Sequence, residues 1–408
     1  MSKMHAVTMN RRQLMQLGSA TLASMGLAGR LYAAPASGPR FLLVFLRGGY
    51  DSTNLLIPYS SDYYYEARPS IAIARPEPSS NTGALALDAN WALAPAVRDT
   101  IGPMYAQRQV AFIPFAGTED LSRSHFETQD SIELGQPASA ARNYRSGFLA
   151  RLSDTLLGSS ANISPIAFTD ALPLAFQGNM PVPNLSLKSV GKPPFDERQS
   201  RILSDMYSGQ HLQAAVSNGL ELRQEVAQQF ADEMRAANRD AINTKGFELE
   251  AERMGRLMRD NYRIGFIDVG GWDTHVGEGG AQGSLASNLA SLGRGLQAFS
   301  QSLGAEWNNT VVVVLSEFGR TFRENGDHGT DHGHGTVYWA LGGAISGGSI
   351  AGEQQRLERH TLFQDRDYPV LNDYRAVLGG LFRSMWGLSP EQGERIFQQM
   401  APVDLKLV

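Results

Sequence analysis

The residues most able to do chemistry lie between 273 and 334. Asp273, Thr274 and His275 follow a Gly-Gly-Trp turn. Ser316, Glu317, Phe318, Gly319 and Arg320 end a strongly apolar run, and Asp327, His328, Asp331, His332 and His334 stand among glycines. Four of the chain's eight histidines fall here, each within a few residues of a carboxylate or another histidine. Imidazole nitrogen and carboxylate oxygen are the usual donors for zinc, manganese and related ions, so the pattern points to a metal-dependent catalytic site without identifying its substrate. In an extended segment, residues two apart share one side, so Asp273 and His275 can address one ion. Glu317 at a buried strand end must be ligated or paired, because an isolated buried carboxylate is costly. A salt bridge to Arg320 or Arg323 is the alternative. Arg320 can instead hold an oxyanion such as phosphate or sulfate. Asp331, His332 and His334 read as metal ligands, and His328 ranks below them.

Two earlier segments carry the same residue types. Asp51 closes Arg47-Gly48-Gly49-Tyr50-Asp51, where the glycines permit a tight turn directly after an apolar run. It is placed to reach a metal, with capping of the next turn as the alternative. Ser122-Arg123-Ser124-His125-Phe126-Glu127 opens a helix. Ser124 and Glu127 have the capping-box spacing. A serine at a helix N-terminus also sits where N–H groups favour an anion or an activated oxygen, and the two roles are compatible. His125 can bind metal or move protons.

The elements that must position these groups are legible as apolar runs at 41–46, 110–115, 163–168, 263–269, 311–315 and 337–345. Runs apolar on both faces are typical of buried parallel strands. Between them, 210–258 reads as mostly helical, 284–303 carries apolar residues at three- and four-residue spacing, and 374–386 forms a last helix. The alternation predicts a three-layer α/β fold, a mostly parallel sheet with helices on both faces. Ligands in such folds sit beyond the carboxyl ends of the strands, where Asp51, Asp273 and Glu317 all fall. Segments 60–98 and 170–200 read as surface insertions on a single domain spanning 37–408.

Residues 1–36 carry Lys3, Arg11, Arg12 and Arg30, no acid, a short glycine-rich apolar stretch and small residues at 33–36. That is the layout of a cleavable twin-arginine signal, which implies recognition by the twin-arginine translocation machinery and a periplasmic or secreted location. The apolar part is too short for a stable membrane span. The whole chain has net charge −5, and without this segment 32 basic residues face 41 acidic ones, close to −9. Nucleic-acid binding is therefore not expected. With no cysteine, disulfides, thiolate catalysis, iron–sulfur clusters and a lipidated cysteine are excluded.

These motifs together resemble the exported family called domain of unknown function 1501, which in turn resembles the alkaline phosphatase and sulfatase superfamily. Phe45-Leu46-Arg47-Gly48-Gly49-Tyr50-Asp51, the 122–130 segment, Gly270 to His275, Ser316 to Thr321 and Asp331 to Gly335 carry the resemblance. It implies an alkaline-phosphatase-like fold, one or two divalent ions (zinc, manganese or calcium), Asp51 as a metal ligand and a hydroxyl nucleophile at Ser124 or Ser122. Where the superfamily has an Asp-His pair after a late strand, this chain has Glu317 and Phe318. The expected activity is metal-dependent hydrolysis of a phosphate or sulfate ester, small or polymer-borne. Asp51, Asp273, His275, Glu317, Asp331, His332 and His334 would hold metal, with Ser124, His125 and Arg320 in catalysis, and Ser124 or water attacking. A non-catalytic exported scaffold is the alternative, and a peptidase or amidase the third.

Overall fold

The computed structural model describes residues 38–77, 80, 82–137, 139–158, 163–186, 197–210, 212–214, 216–217 and 247–408. The expected export signal, and most of the helical stretch expected at 210–258, lie outside the described residues.

Strand β1 (Arg40–Leu46) is buried along its whole length and lies in the interior of the main sheet. After it come the short β2 (Leu56–Ile57), β3 (Leu85–Ala86) and β4 (Ala92–Leu93), then β5 (Val110–Gly117), β6 (Pro165–Ala167), β7 (Ile264–Val269), β8 (Thr310–Ser316), β9 (Thr336–Leu341), β10 (Ser349–Ile350) and β11 (Asn372–Asp373). The main sheet runs β10-β5-β9-β8-β1-β7-β6, with β11 also on β5. β1 pairs in parallel with β7 and β8, matching Leu46 with Val269 and with Ser316. Among the described residues of this sheet, only β9 runs against its neighbours. Its start therefore lies at the same rim as the carboxyl ends of β1, β7, β8 and β5, and this brings the 331–335 segment beside Asp273 and Glu317.

The uninterrupted apolar runs are explained by two separate cores. Leu42, Val44 and Leu46 of β1 face one core together with the helices Phe247–Asp260 and Ser284–Leu303. Phe41, Leu43 and Phe45 face the other with the helices Phe148–Leu157 and Tyr374–Trp386. The predicted stripe of Leu285, Leu289, Leu292, Leu296, Phe299 and Leu303 is buried. The three layers are thus as expected, with two corrections. The last apolar run ends as a strand at Leu341, because Gly342 adopts φ +147° and packs where a side chain would strike the Thr310 carbonyl. Segment 60–98 is not mere decoration. Tyr64, Ile73, Trp91, Leu93 and Val97 belong to the first core, and Arg68 is fully buried. Among the described residues, no helix is long and apolar enough to cross a membrane.

Candidate metal centre

Three histidines from three different segments meet at this rim. His125 begins the helix His125–Leu134 after β5, His275 follows β7, and His332 precedes β9. The segments after β8 and before β9 extend the sheet locally, with Gly333 donating to the Gly319 carbonyl (2.8 Å), Gly319 to His334 (3.0 Å) and Thr321 to Asp331 (2.9 Å). Gly48 makes the close approach possible. It adopts φ +124°, and a Cβ there would lie 2.7 Å from the Asp273 nitrogen.

The Nε2 atom of His332 lies 3.0 Å from Nε2 of His125, 3.1 Å from Nε2 of His275 and 3.2 Å from Asp273 Oδ1. His275 Nε2 is 2.9 Å from Asp273 Oδ1, and His125 Nε2 is 3.6 Å from Asp273 Oδ2. His125, Asp273 and His332 each offer one donor atom within 4.8 Å of the others. The partners on the far side of the rings decide the chemistry. His125 Nδ1 is 2.7 Å from Glu317 Oε1, and Glu317 is fully buried. His332 Nδ1 is 3.1 Å from the Arg123 carbonyl. A carboxylate and a carbonyl only accept, so both rings carry hydrogen on Nδ1 when neutral and present bare Nε2 lone pairs to each other. Two facing lone pairs require a cation between them, either a proton on one ring or a metal ion. Carboxylate- or carbonyl-backed imidazoles are the arrangement metal sites use to orient their ligands.

The electrostatics agree. The Glu317 hydrogen bond, against partial burial, raises the His125 pKa. Burial, then the charges of His125 and Arg320, lowers that of His332. Partial burial opposes ionisation of Asp273, but Arg320, followed by His275 and His332, holds its carboxyl below the usual range. Glu317 stays ionised despite burial because His125, Gln129 and the Gly48 N–H donate to it.

Of the expected site residues, the structure gathers His125, Asp273, His275 and His332. Glu317 stands behind His125 rather than facing the cluster, since Gly48, Gln129, His125 and Ser316 already occupy its oxygens. Asp331 is exposed and approaches His275 Nδ1 at 3.4 Å. Asn325, ahead of burial and His275, lowers its pKa. His334 is corrected as a ligand: it is buried against Phe363 with ring centroids 5.1 Å apart. Burial, then Arg123, pushes its pKa down to about 4. Asp51 is corrected too. Both its oxygens are held by Arg68, at 2.5 and 2.9 Å, and it also caps Thr53. Arg320 is not free to hold an oxyanion. It donates to Gly48, Trp272, Thr330, Asp273 and Gly49, and its side chain is fully buried. Arg47 is engaged by Asp268, Gln129 and Glu133. The expected capping bond of Ser124 is not made.

Sequence reasoning gave no role to Gln129, Arg68 or Glu278. Gln129 was within reach, because it stands four residues after His125 on one helical face. Arg68, in a Tyr- and Pro-rich stretch, and Glu278, among glycines, carry no such periodic signal.

The model of a family described as Protein of unknown function (DUF1501) matches residues 39–398. No curated protein matches the chain. Among solved structures, a protein in the alkaline phosphatase superfamily from Vibrio parahaemolyticus is 11% identical, with 76% of this chain and 61% of that one covered at a TM-score of 0.33. Lipooligosaccharide phosphoethanolamine transferase A (EptA) from Neisseria meningitidis is 9% identical, with 81% and 55% covered at a TM-score of 0.33. Ps i-CgsB in complex with k-i-k-neocarrahexaose is 8% identical, with 90% and 75% covered at a TM-score of 0.35. This chain thus spans less than two thirds of the length of the first two.

Proposed function

The chain belongs to the DUF1501 family, and from its site we propose that it is an exported, metal-dependent hydrolase or transferase acting on phosphate or sulfate esters. The observation that carries this reading is the meeting of the His125 and His332 Nε2 atoms, 3.0 Å apart, beside Asp273, with both Nδ1 atoms turned to acceptors. His125, His332 and Asp273 would hold a divalent ion, with His275 at its edge. Three imidazoles and one carboxylate suit zinc or manganese and make calcium, which takes oxygen ligands, a poor match. Such an ion supplies Lewis-acid polarisation of the ester and lowers the pKa of a bound hydroxyl or water.

The remaining work falls to the chain's own groups. Glu317 keeps the His125 proton on Nδ1, so that the Nε2 lone pair stays open to a metal. Arg320 holds Asp273 ionised from beneath. Ser124 is the attacking hydroxyl in this reading. It is half-buried, adjoins His125 and stands at a helix N-terminus without spending its oxygen on a cap. Export rests on Arg11 and Arg12, and replacing both with Lys while following signal processing and periplasmic recovery tests it.

The decisive measurement is metal content with turnover of aryl phosphate and aryl sulfate. Stoichiometric zinc or manganese, turnover that depends on it, and loss of turnover in Ser124→Ala with metal retained are expected. Metal-loaded protein inert towards both esters would refute the reading. One observation favours a non-catalytic binding protein instead: Arg47, Arg123 and Arg320, arginines of the motif segments, are already committed to protein partners. Metal bound without turnover of any ester would support that alternative.

A further inference from the structure

We propose that Glu278 is a positioning residue of the metal centre, its buried side chain tying the loop that carries Asp273 and His275 to the loop that carries His332. The inference rests on the metal reading above for its purpose, but not for its geometry. Glu278 Oε2 accepts from the Thr274 hydroxyl at 2.8 Å and from the Thr330 hydroxyl at 2.9 Å. Thr274 lies between Asp273 and His275, and Thr330 lies two residues before His332. Glu278 and Thr330 are fully buried and Thr274 nearly so, whereas Asp273 and His275 are 47% and 38% exposed at their side chains. In an extended segment alternate side chains point to opposite sides. The inward Thr274 is thus the anchor from which Asp273 and His275 project outward. The backbones of the two loops are joined as well, with Gly277 donating to Asp327 (2.9 Å), Glu278 to His328 (3.0 Å) and Thr330 to Thr274 (3.3 Å).

The other oxygen of Glu278 is buried with no hydrogen-bond partner. Burial, and then the neighbouring Asp51 charge, raises the Glu278 pKa and favours its neutral form. In that form it can donate to the Asp51 carboxylate, which Arg68 holds ionised against burial. Arg68 also donates to the Phe322 carbonyl (2.7 Å) and the Thr321 carbonyl (3.1 Å). Asp51 therefore serves the centre from the inside of the fold, as the far end of a buried clamp. Buried polar groups of this kind add little stability over apolar packing, and their best-attested use is to fix one arrangement.

Four variants test the clamp: Glu278→Gln, Glu278→Ala, Thr274→Val and Thr330→Val. Zinc affinity is read by competition with a chromogenic chelator. Amide hydrogen exchange of segments 272–280 and 326–334 is read in metal-free protein. Gln keeps an oxygen for both hydroxyls and an N–H for Asp51, so Glu278→Gln is expected to stay within about threefold of wild type in both. Each Thr→Val variant removes one hydroxyl without changing shape and is expected to weaken zinc binding by about tenfold, as loss of outer partners does, with faster exchange in both segments. Glu278→Ala is expected to be worse, and the two valine variants decide the matter should it fail to fold. Wild-type zinc affinity and exchange in both valine variants would overturn the clamp, as would a Gln variant as impaired as Ala. If the wild-type protein takes up no zinc, the metal reading fails, while the exchange comparison still decides whether the clamp exists.

Discussion

Replacing Glu317 by Gln separates charge from shape at the metal centre. Oε1 of Glu317 accepts from His125 Nδ1 (2.7 Å), Gln129 Nε2 (2.8 Å) and Gly48 N (2.8 Å), while Oε2 faces Ser316 Oγ at 2.9 Å. Ser316 Oγ also lies 2.6 Å from the Leu46 carbonyl. Its single hydrogen can point there, leaving the oxygen free to accept from a glutamine amide. The substituted side chain therefore fits with every donor satisfied, and only the negative charge is lost. A charge-assisted hydrogen bond is worth about 1 kcal/mol more than a neutral one, and loss of the carboxylate behind a ligating imidazole costs about tenfold in metal affinity, roughly 1.4 kcal/mol. Metal-free stability should change by less than about 1 kcal/mol, because the cost of burying the charge disappears with it. Glu317→Ala leaves three donors unpaired and should lose at least about 3 kcal/mol. Chelator competition with zinc and urea unfolding of the metal-free protein measure the two quantities. A Glu317→Gln variant that binds zinc like wild type would refute the claim that the negative charge behind His125 strengthens it as a ligand.

Three further outcomes follow from the same geometry. Gly48→Ala should lose more than about 2 kcal/mol in urea unfolding and most of its metal affinity, since φ +124° disfavours any side chain and the new methyl strikes the Asp273 backbone; near-wild-type behaviour would contradict the close approach. Arg320→Lys should destabilise by about 2–4 kcal/mol, because three ammonium donors cannot replace a fork serving four carbonyls and Asp273; a loss under about 1 kcal/mol in the same assay would refute this. Glu278 sets a pH dependence: its pKa is raised in the folded state, which therefore binds the proton more tightly than the unfolded chain. Its contribution is fully present below the unfolded value of 4.5 and lost as pH rises towards the folded one, at up to about 1.4 kcal/mol per pH unit. The stability of Glu278→Gln relative to wild type should therefore grow from pH 5 to pH 8, and parallel curves would show that Glu278 is ionised in the fold.

How much of this was legible in the sequence depends on what kind of information each feature needs. The helix Ser284–Leu303 was readable to its ends, because six apolar residues mark one face and glycines flank it. The six longer strands were readable because burial on both faces leaves few polar positions in the run, Asp268 of β7 being one, while the two-residue strands left no such signal. The donors of the cluster were readable as residue types at a rim that strand direction defines. What the sequence does not encode locally is which way a side chain points once its neighbours change. His332 and His334 are two residues apart, and simple alternation puts them on one side. The backbone changes partner between them, with Arg320 opposite His332 and Tyr368 opposite Gly335, so one imidazole joins the cluster and the other packs on Phe363. Asp51 departs from expectation for a different reason. Its partner Arg68 is seventeen residues away in a segment without periodicity, and the pairing exists only because the 60–98 insertion folds into the core. A carboxylate at the end of a buried strand has to be neutralised somehow, and the sequence states that need. Only the packing determines whether a metal or an arginine meets it, and at Asp51 it is Arg68 that does.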